Sequence, residues 1–193
     1  MFINYFGIFI CYIIFKILCL FYNIYTFDTS DAKLFINKNK SNSIVFATYG
    51  HTSAMDALYC TYFAYTLNCL GFAKKIHKSL YPKFLHNNLY FIENKSSNIR
   101  IKRPFAMFIE GTRDKLPYIR SGFKYIAINN KSTLVYMILN FSKNKLELSE
   151  AIYTPLDLLT DNELLHPLKE LIKNKSPKDY AIYPSYCSDI KFK

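Results

Sequence analysis

The amino-acid sequence predicts an α/β fold: a single domain with a mixed β-sheet flanked by helices, preceded by an N-terminal hydrophobic membrane helix. Two observations lead to this prediction. Short apolar runs of strand length alternate along the chain with longer stretches of helical periodicity, which is typical of α/β layers. An apolar segment, residues 2–25, comes before them and has Lys16 as its only charged residue.

The composition is that of a folded domain and not of a disordered chain. Of the 193 residues, 51% are hydrophobic, while 25 Lys and Arg against 14 Asp and Glu give a formal charge of +11. A chain of this length can bury a core without disulfide or metal support. The 5 cysteines contain no C-x-x-C pair, so we expect neither a disulfide framework nor a zinc site, and we expect a reducing compartment.

The N-terminal apolar segment predicts contact with a membrane. As a helix, residues 2–25 are long enough to cross a hydrocarbon layer of about 30 Å. Lys16 near the middle is costly in a spanning helix, so a helix in the membrane plane and a helix buried in the domain stay as alternatives. We therefore divide the chain into residues 1–26, a membrane anchor or in-plane helix, and residues 27–193, the main folded domain.

The charge next to this segment predicts its orientation. No Lys or Arg precedes the segment, whereas Lys33, Lys38 and Lys40 follow it closely. The positive-inside rule then places the main domain on the cytosolic side of the membrane.

The remaining elements follow from hydrophobic patterning. The run 43–48 is rich in residues that suit a buried strand, and residues 161–173 carry the leucine stripe of an amphipathic helix. In chain order, we predict strand 43–48, helix 54–70, strands 89–92 and 105–109, helix 122–130, strands 134–139 and 146–152, and helix 161–173.

The first candidate site follows the first predicted strand and contains His51 and Asp56 in an H-x4-D pattern. Histidine suits base catalysis near neutral pH, and a carboxylate on its other ring nitrogen fixes the tautomer. Side chains five residues apart on a helix point about 140° apart, so the pair meets only if His51 lies in the preceding turn. The alternative is structural: Ser53 to Asp56 fits a capping box, with His51 a solvated loop residue.

The second candidate site follows the strand predicted over 105–109 and reads Glu110-Gly111-Thr112-Arg113. Gly111 permits close approach of the backbone to a ligand, and the Thr112 hydroxyl can donate to phosphate oxygens. Arg113 offers a planar fork for bidentate phosphate binding, which Lys cannot provide. The alternative is an ordinary turn with a Glu–Arg pair at the surface.

Together, the two motifs resemble those of the lysophosphatidate (1-acylglycerol-3-phosphate) acyltransferase family. In that family the first motif is Asn/Pro-His-x-Ser-x-x-Asp and the second is Phe-Pro-Glu-Gly-Thr-Arg. Residues 120–127 also look like a segment of the short, bacterial-type members. The chain departs from the pattern at Ile109, where the family has proline, and at residues 91–94, where Phe-Ile-Glu-Asn replaces Phe-Ile-Asp-Arg.

The resemblance implies an O-acyltransferase of phospholipid biosynthesis that uses no metal and no cofactor, with acyl-CoA or acyl carrier protein as the acyl donor. It implies that His51 is the general base and that Asp56 orients it. Residues Glu110, Gly111, Thr112 and Arg113 would hold the acceptor's phosphate, and Lys95, Arg100 or Arg103 would replace the missing arginine. Lysophosphatidate is the leading acceptor, while glycerol 3-phosphate and other lysophospholipids stay open.

Two other functions are consistent with parts of the sequence. The departures from the family pattern allow a catalytically inactive lipid-binding protein of the membrane surface on the same fold. The +11 charge and many aromatic residues would suit a nucleic-acid binder, but the lysines are scattered and no reader motif is present. We therefore expect membrane lipid, and no nucleic acid, as the partner.

Overall fold

The computed structural model describes residues 9–10, 12–14, 16–17, 27–40, 42–50, 62–63, 66–74, 89–92, 99–109, 118–175 and 191–192. The strands in this part of the chain are β1 Ile44–Tyr49, β2 Gly71–Lys74, β3 Leu89–Ile92, β4 Phe105–Phe108, β5 Tyr118–Ile119, β6 Thr133–Asn140, β7 Lys145–Leu148 and β8 Lys191–Phe192. The helices described over their full length are α1 Ser30–Lys38, α2 Gly122–Asn129 and α3 Asp161–Ile172, with a short 3-10 helix over Leu156–Leu158.

A mixed four-stranded sheet in the order β4-β1-β6-β7 lies at the centre of this α/β arrangement. β1 pairs in parallel with both β4 and β6, and β7 is antiparallel to β6. Every residue of β1 and β6 is buried, which is the pattern of strands covered on both faces. The continuous apolar runs of these strands are therefore explained by their central position.

The parallel pair β2 and β3 continues this arrangement beyond β4. Leu70, just before β2, forms a parallel bridge with Phe105. The Leu70 N–H donates to the Pro104 carbonyl at 2.7 Å, and the Leu70 carbonyl accepts from the Ala106 N–H at 2.8 Å. β3 runs parallel to β2. The carboxyl ends of β3, β2, β4, β1 and β6 therefore all point toward one edge.

Hydrophobic side chains cover the sheet on both faces. On one, here called the α2 face, Val45, Ala47 and Tyr49 pack with residues of α2, α3 and the 3-10 helix. On the other, here called the α1 face, Ile44 and Phe46 pack with α1 and with Tyr62, Phe63 and Leu67. The period-two alternation along β1 thus divides its side chains between two hydrophobic clusters.

The membrane helix in the predicted fold class is wrong. Within the residues that the structure describes, no helix is long and apolar enough to cross a membrane. Residues 9–10, 12–14 and 16–17 are helical, and Tyr12 packs against the cluster on the α1 face. Its ring stacks on Tyr62 with centroids 6.3 Å apart. Apolar content alone did not distinguish a spanning helix from one that also contacts its own domain.

The helix predicted over 54–70 is also too long at its carboxyl end. Residues 62, 63 and 66 are helical, and the Leu67 N–H still donates to the Phe63 carbonyl at 2.9 Å. Asn68 then adopts φ 51°, and Leu70 already bridges to β4. The apolar run beyond residue 67 belongs to the sheet, which hydrophobicity alone did not reveal.

Candidate functional site

The first motif begins where the chain leaves β1. Gly50, directly before His51, has φ 100°, a left-handed conformation that side chains with a Cβ rarely adopt. The carboxyl end of β1, just before Gly50, is paired with a strand on each side, because Thr48 pairs with β4 and Tyr49 pairs with β6. His51 and Asp56 themselves lie outside the described residues, so their contact stays a prediction.

The second motif begins where the chain leaves β4. Ile109, directly before Glu110, is fully buried, and its N–H donates to the Thr48 carbonyl at 3.0 Å. The Arg120 N–H donates to the Ile109 carbonyl at 3.0 Å, so the residues on either side of the segment 110–119 lie close together. The predicted phosphate-binding residues Glu110, Gly111, Thr112 and Arg113 lie in this segment, outside the described residues.

The two motifs begin at neighbouring positions of the sheet, at the carboxyl ends of β1 and β4. β1 and β4 are adjacent parallel strands with Thr48 opposite Phe108, and adjacent strands lie about 4.8 Å apart. His51 and Glu110 therefore follow the ends of two neighbouring strands. The sequence predicted that each motif follows a strand, and the topology adds that the two strands are paired.

The connections after β1 and β4 go to opposite faces of the sheet. After β1, Tyr62, Phe63 and Leu67 pack on the α1 face, before the chain reaches β2 beyond β4. After β4, helix α2 packs on the α2 face, before the chain enters β6 on the other side of β1. In α/β sheets, ligands bind in the crevice outside the carboxyl ends of adjacent strands whose connections run to opposite faces of the sheet.

The topology distinguishes the cations proposed to replace the family's arginine. Lys95 lies outside the described residues, but it follows β3, whose carboxyl end points toward the same edge as β4. Arg100 and Arg103 precede β4 and belong to the opposite edge. The Arg103 guanidinium donates to the Asn68 side chain at 2.9 Å there. The direction of the chain therefore favours Lys95, rather than Arg100 or Arg103, as the expected replacement for the family's arginine.

One polar cluster at the same edge was not found from the sequence. Asn140 ends β6 and is 1% exposed, and its amide donates to the Glu147 carboxylate at 2.6 Å. The Lys175 ammonium group contacts the same carboxylate at 2.6 Å. These contacts connect β6, β7 and the chain after α3. No local signal marks the cluster, because its members come together only through tertiary folding.

The described residues contain no group of three or more His, Cys, Asp or Glu side chains that could hold a metal ion. The motif residues lie outside the part of the chain to which this finding applies. The expectation that the site works without metal or cofactor stays a prediction.

Comparison with known proteins adds no relative. No family model, no curated protein and no solved structure matches the chain. The resemblance to lysophosphatidate acyltransferases therefore rests on the motif residues alone.

Proposed function

We propose that the protein is an O-acyltransferase that moves an acyl group from acyl-CoA or acyl carrier protein to a hydroxyl of a lysophospholipid. The leading acceptor is 1-acylglycerol 3-phosphate, with phosphatidate as the product. One observation carries the proposal: β1 and β4 are adjacent parallel strands, and the chain leaves them directly into the His51 motif and the Glu110–Arg113 motif. This topology supports a base and an anion-binding loop in one crevice.

In the proposed reaction, His51 removes the proton from the acceptor hydroxyl as its oxygen attacks the thioester carbonyl carbon. Asp56 holds the imidazole in the required tautomer and stabilises the imidazolium. The tetrahedral intermediate collapses with cleavage of the carbon–sulfur bond. The leaving thiolate takes the proton back from His51, so the enzyme returns to its starting state.

The second motif would bind the acceptor rather than take part in bond making. The Arg113 guanidinium and the Thr112 hydroxyl would donate hydrogen bonds to the phosphate, with Gly111 allowing close backbone approach. Glu110 carries a negative charge, so its part in holding the phosphate would be indirect, by orienting the Arg113 guanidinium. Lys95, after the neighbouring strand β3, would supply a second positive charge.

The test is an acyl-transfer assay on the purified full chain in detergent. Labelled acyl-CoA is mixed with lysophosphatidate, glycerol 3-phosphate and a neutral lysophospholipid, and the products are identified by mass spectrometry. We expect transfer to a phosphate-bearing acceptor and a loss of at least about 100-fold in His51→Ala. The matched control is His166→Ala, because His166 is exposed on α3. A wild-type protein inactive with every acceptor, or full activity in His51→Ala, would refute the proposal.

A further inference from the structure

The two-residue strand β5 comes shortly after the predicted phosphate-binding residues. Among the strands that the structure describes, β5 pairs with β8 alone, so it is not part of the four-stranded sheet. The pairing is parallel, with Tyr118 opposite Lys191 and Ile119 opposite Phe192. An isolated pair of short strands is at best marginally stable in water. The position of β5 therefore depends on the contacts that hold Ile119 and β8 in place.

Contacts on the α2 face hold both strands. Ile119 is 1% exposed and belongs to the hydrophobic cluster on that face, and Phe192 packs against the same cluster. The Phe192 ring lies beside the ring of the fully buried Phe123, with centroids 5.8 Å apart. The Lys124 ammonium group lies 5.6 Å from the centre of the Phe192 ring and pairs with Asp161 of α3 at 2.9 Å. Phe192 thus attaches β8 to α2 and, through Lys124, to α3.

The residues on the two sides of the segment 110–117 are held by different contacts. On the amino-terminal side, the Ile109 N–H donates to the Thr48 carbonyl of β1 at 3.0 Å. On the carboxyl-terminal side, β5 pairs with β8, and the Arg120 N–H donates to the Ile109 carbonyl at 3.0 Å. Because Phe192 attaches β8 to the domain, its ring helps to fix the carboxyl-terminal side of the segment.

We propose that β8 fixes the position of the second motif, which makes Phe192 a positioning residue for the acceptor's phosphate. The inference rests on the proposed function of Glu110–Arg113, since it concerns the same phosphate. A bidentate guanidinium contact requires a fixed geometry, so a small displacement of the chain around Arg113 weakens phosphate binding. Phe192 is assigned no contact with the substrate, because it acts through β5.

Limited trypsin digestion of the full chain tests the attachment of β5 independently of activity. Trypsin cleaves after Lys and Arg, and Arg113 and Lys115 both precede β5 closely. Phe192→Ala should raise the rate of cleavage after these two residues about fivefold or more, because loss of the ring raises the population of chains in which β5 is detached. Phe192→Tyr keeps the ring and should be cleaved like the wild type. The matched control is Ile128→Ala, because Ile128 packs against the same cluster at the other end of α2.

Binding of glycerol 3-phosphate and acyl-transfer kinetics test the consequence for the acceptor. Phe192→Ala should raise the Kd for glycerol 3-phosphate and the KM for the phosphate-bearing acceptor about tenfold. Its kcat should stay close to that of the wild type, because His51 follows β1, and β8 does not pair with β1 in the described sheets. Ile128→Ala should change neither Kd nor KM. If Phe192→Ala does not fold, Phe192→Leu, which loses less volume, should shift the same quantities in the same direction.

The outcomes separate this inference from the proposed function. A wild-type chain that binds the acceptor, together with a Phe192→Ala variant that has the same Kd and cleavage rate as Ile128→Ala, would overturn the inference alone. A fall in kcat with unchanged KM in Phe192→Ala would also overturn it, because the ring would then not act through phosphate binding. A wild-type chain that neither binds glycerol 3-phosphate nor transfers acyl groups would refute the proposed function and the positioning role with it.

Discussion

At the scale of single residues, Ile109 explains a departure from the family pattern. The resembled family has proline at this position, but the Ile109 N–H donates to the Thr48 carbonyl at 3.0 Å, and proline has no N–H to donate. The side chain is fully buried in the cluster on the α2 face. Ile109 thus extends the connection between β1 and β4 to the residue before Glu110.

Ile109→Pro should therefore destabilise the fold. It removes a hydrogen bond and leaves the Thr48 carbonyl without this donor, so we expect the free energy of unfolding to fall by about 2 kcal/mol or more. Urea unfolding measures the change. Ile109→Val retains the N–H and should cost about 1 kcal/mol through lost packing. If the proline variant were as stable as the valine variant, the hydrogen bond would not have the assigned role.

At the same scale, the sequence identified the motif residues but not the conformation at Gly50 or the Asn140 cluster. The left-handed φ of Gly50 depends on how β1 ends between two neighbours. The contact of Lys175 with Glu147 depends on where α3 delivers the following chain. Both are consequences of tertiary packing, which a local pattern does not contain.

At the scale of elements, the sequence predicted those with a strong internal pattern. The strand over 89–92 is confirmed with the same bounds, and the helix predicted over 161–173 is confirmed as α3, whose Leu164, Leu165 and Leu168 are buried. Helix α1 was missed because Ala32 is its one fully buried residue and Leu34 is exposed. Short strands such as β8 carry too few residues for any periodicity.

The start of α3 offers a prediction about pH. The Thr160 hydroxyl and backbone N–H both donate to the Glu163 carboxylate, which lowers the pKa of Glu163 below its ordinary value. A lowered folded-state pKa contributes stability above the unfolded pKa of about 4.3, and that contribution is lost as the pH falls through the folded value. Glu163→Gln should therefore be less stable than wild type at pH 7 and equally stable well below pH 4.

Thermal unfolding of the two proteins across that pH range measures the difference. Glu150→Gln is the control, because it removes an exposed carboxylate outside the cap. A stability difference between wild type and Glu163→Gln that stayed constant into acid would show that the carboxylate charge does not strengthen the cap.

At the scale of the whole molecule, the sequence predicted strands before both motifs but not the neighbourhood of those strands. Pairing of β1 with β4 joins segments that are far apart in the chain, and it is decided by which apolar faces are buried together. The same limit explains the wrong prediction of a membrane helix at the N-terminus. The sequence shows that this segment is apolar, but it does not show that Tyr12 packs against the cluster on the α1 face. The convergence of the His51 and Arg113 side chains themselves stays a prediction.

The most direct measurement of that convergence is an NMR titration of the histidine side chains with glycerol 3-phosphate, a soluble phosphate-bearing acceptor. We expect the His51 imidazole resonance, assigned through His51→Gln, to move as the ligand binds, while that of His166, exposed on α3, does not. Arg113→Lys should raise the glycerol 3-phosphate concentration at the midpoint of the titration about tenfold, because Lys cannot make the bidentate contact with phosphate. Arg103→Lys, at the opposite edge of the sheet, should leave that concentration unchanged. If calorimetry shows saturable binding of glycerol 3-phosphate while the His51 resonance does not move, a site shared by His51 and Arg113 is contradicted. An equal rise of the midpoint in Arg103→Lys would contradict it too.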